Sequence, residues 1–273
     1  MHPQLVITEQ SNTRNIEPAT PAAPRFSVTL ASNKVEIREA QRLRHQIFFE
    51  AKHAQAAALG GVDIDDFDKD CEHLIVRDLN TDQVVGCYRI MRPEKAAKRG
   101  GYYSDSEFNL SALDPIRPQI AEAGRACIHP DYRSGAVIML LWSGLVQWMI
   151  TNNYQYMVGC ASIALDGTDG HAQAAAVYAQ LQEKFLSPPH LRVTPKIALP
   201  LQSFVETSAD APLVRVPPLL KGYTRLGAWI CGAPAWDKAF NTADLFTMMS
   251  LSQMNQQYAK HFVKVNSSTQ THQ

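Results

Sequence analysis

Apolar positions recur along this chain with two periods, and the switches between them divide it into elements. Phe26–Leu30 alternates in the manner of a strand. From Lys34 to Lys52 the residues Ile37, Ala40, Leu43, Ile47 and Phe48 fall near helical spacing, and Asn33 is placed to cap that helix. His73–Asp78 and Val84–Met91 read as an antiparallel hairpin closed by an Asn80-Thr81-Asp82 turn. Ala121–Ile128 is a short strand ended by Pro130, and Tyr132-Arg133-Ser134-Gly135 makes a tight turn ahead of the apolar run Ala136–Ile150. In that run Val137, Leu141, Leu145 and Trp148 share a face, with Ile138, Leu140 and Met149 beside them, a stripe wide enough to be buried against a sheet. Tyr154–Ala164 predicts another strand, and Gly170–Phe185 a helix on which Ala174, Val177, Leu181 and Phe185 recur. Strand, glycine turn, helix, strand, helix is a βαβα unit, for which a right-handed crossover is expected.

Downstream the pattern is weaker. Pro188–Pro218 is broken by prolines into short strands and loops, Leu219–Cys231 reads as a strand bent at its glycines, Ala243–Met249 as a strand and Leu251–Phe262 as a terminal helix. Residues 1–24 and 264–273 are polar and aperiodic, which predicts a disordered leader and a loose tail around one domain over 25–263.

Composition narrows the function classes. Of 273 residues, 45% are hydrophobic, enough for a packed core; 26 basic and 26 acidic residues cancel, so no overall charge favours nucleic acid as a partner. The five cysteines are scattered without a CxxC pair or histidines at zinc spacing, which fits a reduced compartment and no metal site. Ser143, Gly144 and Gln147 interrupt the longest apolar run, which is shorter than the roughly 20 residues a membrane span needs. The expectation is a cytoplasmic protein whose contact with the inner membrane surface, if made, is peripheral.

Three stretches carry candidate chemistry. The turn before Ala136 opens a helix whose first N–H groups lack intrahelical partners, so Arg133, Ser134, Gly135 and Ala136 form a natural phosphate seat. With a strand directly before it, the unit suits a pantetheine-type acyl carrier, whose thioester would lie along that strand. The second stretch, GGVDIDDFDKD over 60–70, sets five aspartates within eight positions. A solvated turn and a pocket for a cationic substrate both account for it; an EF-hand loop does not, since its mid-loop glycine and closing glutamate are missing. Third, Arg92, Lys95, Lys98 and Arg99 make a basic cluster that is either a solvated loop or a docking face for an acidic carrier protein.

Taken together, the helix, hairpin and strand–turn–helix–strand–helix order resembles the Gcn5-related N-acetyltransferase fold. That resemblance implies a mixed, mostly antiparallel central sheet with helices on both faces. Arg44 on the first helix, Asp63-Ile64-Asp65-Asp66-Phe67-Asp68 in the loop, Arg89 on the hairpin and Glu122-Ala123-Gly124-Arg125 on the strand resemble the acyl-carrier-protein-dependent branch of that fold, to which acyl-homoserine-lactone synthases belong. The segments GRACIHPDYRSGAVIMLLWSGL, DDFDKDCEHLIVRD and PPLLKGYTRLGAWICGAPAWDKAFNTADLF are more specifically similar to ornithine lipid biosynthesis N-acyltransferases.

The resemblance implies transfer of a 3-hydroxyacyl group from the phosphopantetheine arm of acyl carrier protein to the α-amino group of L-ornithine, with no permanently bound cofactor. It implies Glu122 as the base, unless Glu122 is a structural partner of Arg125, and Tyr178 as the acid for the leaving thiolate. Backbone N–H groups near Cys127 and Ile128 would polarise the carbonyl. Asp63, Asp65 and Asp68 would bind the acceptor's ammonium groups or else brace Arg44 and Arg89. Another amine acyltransferase, including one with lactone-synthase chemistry, and a non-catalytic carrier-binding module are the competing readings.

Overall fold

The computed structural model describes residues 25–48, 61–201 and 215–255. The leader, the tail, the end of the first helix beyond Phe48 and the terminal helix beyond Asn255 lie outside these described residues. β1 (Phe26–Leu30), β2 (Glu72–Asp78), β3 (Gln83–Met91), β5 (Ile120–Ile128), β6 (Tyr156–Ala164), β10 (Thr242–Ser250) and β8 (Trp229–Ile230) follow one another across a sheet, and β9 (Ala235–Asp237) pairs with β10. Every pairing is antiparallel except β5 with β6. β4 (Phe108–Asn109) and β7 (Thr194–Pro195) pair apart from it.

Strand alternation sends side chains to two different cores. Leu74, Val76, Tyr88, Ile90 and Ala121 pack with the wide stripe of α4 (Ala136–Thr151), while Ile75, Cys87 and Cys127 point oppositely, onto Ala40 and Leu43 of α1 (Lys34–Phe48). α5 (Gly170–Phe185) joins α4 on its face through Ala174, Val177 and Leu181 against Ile163, Ala243 and Leu245. Two short helices, α2 (Pro93–Arg99) and α3 (Ser104–Glu107), precede β4. The basic stretch read as a loop is thus mostly helix: Pro93 opens α2 and Gly100, at φ 93°, closes it in the left-handed region.

The segment expected to be a bent strand over Leu219–Cys231 is instead α6 (Pro218–Leu226) followed by β8. Pro218 starts the helix and Gly227, at φ 99°, ends it. Gly222 does not bend the chain; it permits close packing, because a Cβ there would sit 2.3 Å from the Trp142 ring. The glycines therefore mark a cap and a helix–helix contact.

β5 and β6 share only a short register, Ile120–Glu122 against Tyr156–Val158, and then part. Gly159 lies where they separate, and a Cβ there would come within 2.3 Å of the Ala123 carbonyl oxygen. On the other edge of β5 the register with β3 jumps between Cys87 and Arg89, so Arg125 and Ala126 bulge, with Arg125 at φ 53°. The parting and the bulge together create the opening on which the site is built.

Candidate active site

Two connected hollows occupy the gap between β5 and β6. The larger, about 360 Å³, is bordered by Arg89, Tyr103, Glu122, Arg125, Asp237 and Asp244. The smaller, about 50 Å³, is apolar and lies among Trp142, Leu145, Val146, Met157, Leu226 and Met249. Tyr88, Ala123, Cys160 and Tyr223 line both. The sheet is thus open at this point, with polar groups mainly on the α1 side and hydrocarbon on the α4 side.

Glu122 is buried and does not pair with Arg125. Its Oε1 accepts from Ser104 N (2.9 Å) and Ser104 Oγ (2.6 Å), and its Oε2 accepts from Tyr103 N (2.8 Å), so the carboxylate anchors the start of α3. Burial raises its pKa above the usual carboxylate value, and the Ser104 and Tyr103 hydrogen bonds only partly oppose that. A buried carboxyl with a raised pKa beside a cavity is suited to accepting a proton from a ligand there.

The aspartate-rich loop turns inward onto three arginines. Arg44, only 1% exposed, donates Nε to Asp63 at 2.7 Å and forks onto Asp68 at 2.6 and 3.1 Å. Arg89 holds Asp65 at 2.5 Å, and Arg125 Nη2 reaches the other Asp65 oxygen at 2.9 Å. Burial pushes Asp65 upward, but Arg89 and then Arg125 outweigh it and hold its carboxyl at about 2. Asp68 is lowered by Arg44 against the same burial. Three cations thus neutralise three anions, as a buried charge cluster requires. The solvated-turn reading fails here, and the carboxylates brace Arg44 and Arg89 instead of presenting themselves to the cavity.

The other expected residues divide. Arg92 pairs with Glu72 and lies over Trp148, while Arg99 donates to Asp70 at 2.8 Å and stacks 4.1 Å from the Phe67 ring centre; Lys95 and Lys98 are exposed. Arg133, Ser134 and Ala136 are exposed, and Gly135, at φ 110°, opens α4; these four sit outside both hollows. His129 N donates to Val85 O, so the alternation of the strand commits the Cys127 N–H to β3 and turns the Ile128 N–H toward the open edge. The Cys127 side chain is buried on the α1 side, which removes it as a nucleophile at the gap. Tyr178 packs on α5 beside the Ala174–Leu181 core and borders neither hollow.

Sequence reasoning missed Tyr88, Tyr103, Tyr223, Asp237 and Asp244. The hydroxyls of Tyr88 and Tyr223 are 2.6 Å apart at the junction of the hollows, and burial keeps both protonated, with Tyr88 pushed up to about 12. The two aspartates come from β9 and β10, far along the chain. An acidic residue within an otherwise apolar strand was the available signal.

Comparison with known proteins agrees with this geometry. The acetyltransferase (GNAT) domain model matches residues 43–143. An L-ornithine N(alpha)-acyltransferase of Brucella abortus (strain 2308) is 33% identical over 249 residues, 87% of this chain and 88% of that protein. One from Rhodobacter capsulatus is 30% identical over 254 residues, covering 89% and 97%. Among solved structures, the CoA-dependent acyl-homoserine lactone synthase BjaI with SAM and isopentyl-CoA superposes with TM-score 0.51 at 15% identity, over 88% of each chain. FeeM, an N-acyl amino acid synthase from uncultured soil microbes, does so with TM-score 0.51 at 12% identity, over 85% of this chain and 93% of that one. These two likenesses concern the fold alone.

Proposed function

This chain belongs to the L-ornithine N(alpha)-acyltransferase family and is an N-acyltransferase, and from that premise we propose that it moves a 3-hydroxyacyl group from acyl carrier protein to the α-amino group of L-ornithine. The observation that carries the reading is the gap between β5 and β6, with hydrocarbon on one side and a raised-pKa carboxylate on the other.

In this scheme the carrier's phosphate rests on the first N–H groups of α4, with Arg133 beside it. The pantetheine arm runs into the gap, and the thioester carbonyl accepts from Ile128 N–H; one well-aimed donor of this kind contributes about 3 kcal/mol. The acyl chain continues into the apolar recess. That recess must widen for a long chain, and the unbranched side chains of Met157 and Met249 allow it.

The acceptor arrives from the α1 side. Glu122 Oε2, which carries one hydrogen bond, takes the proton of the α-ammonium directly or through a water. The free amine attacks the carbonyl carbon, the C–N bond forms and the C–S bond breaks. The departing thiolate takes a proton from the Tyr223–Tyr88 hydroxyl pair, in place of Tyr178, and the pair recovers a proton from the attacking nitrogen, which sheds its second proton as the amide forms; Glu122 gives the first to solvent. Arg44, Asp63, Asp65, Asp68 and Arg89 act as a rigid wall that positions Arg125. Lys95 and Lys98 meet the acidic carrier, whereas Arg92 and Arg99 are occupied within the fold.

The test is purified protein with 3-hydroxyacyl carrier protein and a panel of amino acids. Release of free thiol with ornithine, accompanied by the N-acyl product, is expected. Turnover with acetyl-CoA and a simple amine alone would contradict the donor, and no turnover with any amine would favour a carrier-binding module.

A further inference from the structure

The polar hollow contains more acid than amide formation needs. Asp237, only 6% exposed, closes an Asx turn in which its Oδ1 accepts from Ala239 N at 2.8 Å and Phe240 N at 3.0 Å. Its Oδ2 takes no hydrogen bond from a described residue, and no described lysine, arginine or histidine forms an ion pair with it. Its cross-strand neighbourhood adds a second carboxylate: Asp237 pairs with Thr242 of β10, and Thr242 Oγ1 donates to Asp244, 2% exposed, at 2.9 Å. Both carboxylates border the cavity.

A carboxylate on a residue this little exposed, with one oxygen unmet by any described residue and a cavity beside it, is costly unless a cation or donor arrives to meet it. The field of this pair reaches its neighbours. Glu107 is raised by burial and then by Asp237 and Asp244, with Lys196 opposing; Tyr103 is raised by burial and then by Asp244 and Asp237, with Arg125 opposing. Tyr103 therefore stands within electrostatic reach of two poles, the acid pair and Arg125. Arg125 Nη2 holds Asp65, but its Nε is buried without a hydrogen bond, 3.7 Å from Asp63 Oδ2, and the Phe48 and Phe240 rings flank the guanidinium, each centred 5.7 Å from Cζ.

We propose that the α1-side hollow is a two-pole subsite for a cationic amino acid, in which Asp237, seconded by Asp244, receives the side-chain ammonium and Arg125 the α-carboxylate. This rests on the N-acyltransferase reading above and adds the residues that select the acceptor. Holding a zwitterion at both ends directs its α-amine toward Glu122, and Phe240, joined to Asp237 through its N–H and to Arg125 through its ring, links the poles. A neutral side chain of the same length leaves Asp237 Oδ2 unmet, so discrimination follows from the same penalty.

The experiment compares kcat and KM for ornithine and norvaline, which has the same carbon chain without the second ammonium, in wild type and Asp237→Asn. Asparagine keeps the Oδ1 acceptor of the Asx turn, so the loop is retained. Wild type is expected to prefer ornithine by at least about tenfold. In Asp237→Asn the KM for ornithine rises about tenfold or more, kcat changes little and the preference over norvaline collapses. Asp244→Asn, run in parallel, shifts the same ratio in the same direction.

A wild type that acylates ornithine selectively, with both variants keeping that selectivity, overturns the subsite and leaves the acyltransferase reading standing. A wild type that accepts norvaline as readily as ornithine also overturns it. Absence of turnover with every amine instead contradicts the acyltransferase reading itself.

Discussion

At the scale of single residues, the proposed chemistry rests on Glu122 and on the charges that line the hollow. Replacing Glu122 by Gln should lower kcat/KM at least about tenfold. The wild-type rate should rise with pH through the raised Glu122 pKa, and the variant should lose that limb. A preserved pH profile in Glu122→Gln would leave Glu122 only its role of anchoring Tyr103 and Ser104. The Arg44–Asp68 fork makes a prediction about stability. Asp68→Asn leaves a buried guanidinium short of charge and should cost about 3 kcal/mol in urea unfolding. Asp65 adds a pH dependence: its folded pKa, about 2, lies below the ordinary 3.8, so its contribution is fully present above about pH 4 and is lost as pH falls through about 2. Arg44, Asp63, Asp65, Asp68, Arg89 and Glu122 could be singled out in the sequence because their order along the first helix, the loop, the hairpin and β5 resembles the carrier-dependent branch of the fold. Asp237 and Asp244 could not be, because only the folded sheet brings β9 and β10, across β6, to the same hollow as β5.

At the scale of elements, the sequence pattern located β1, the β2–β3 hairpin, β5, α4, β6 and α5 within a residue or two, since each carries a clean apolar period. It failed on α6. There Pro218, Gly222 and Gly227 look like strand breakers until the cap and the Trp142 contact are known. The bulge at Arg125 has no sequence signature, because a non-glycine residue rarely takes a positive φ. The recess between α4, α6 and the sheet gives this scale its test. Val146→Phe adds bulk inside it and should move the preference toward shorter acyl chains with little change in KM for ornithine. An unchanged chain-length profile would relocate the hydrocarbon.

At the scale of the molecule, one sheet separates two solvents. The α4 face offers hydrocarbon, the α1 face offers charge, and the strands part where a thioester would have to touch both. No helix among the described residues is long and apolar enough to cross a membrane. Carrier docking belongs to this scale as well. Lys95→Glu with Lys98→Glu should raise the apparent KM for the carrier protein several-fold and flatten its salt dependence, since both residues are exposed and no described residue forms an ion pair with either. An unaltered KM would move the docking face elsewhere.

The most direct measurement is a structure of the protein with a non-reactive amide analogue of 3-hydroxyacyl-pantetheine. The analogue's carbonyl should lie against Ile128 N–H between β5 and β6, with its chain among Met157, Leu226 and Met249 and its phosphate end toward Gly135. An analogue bound outside that gap, or strands that close upon each other when it binds, would contradict the account.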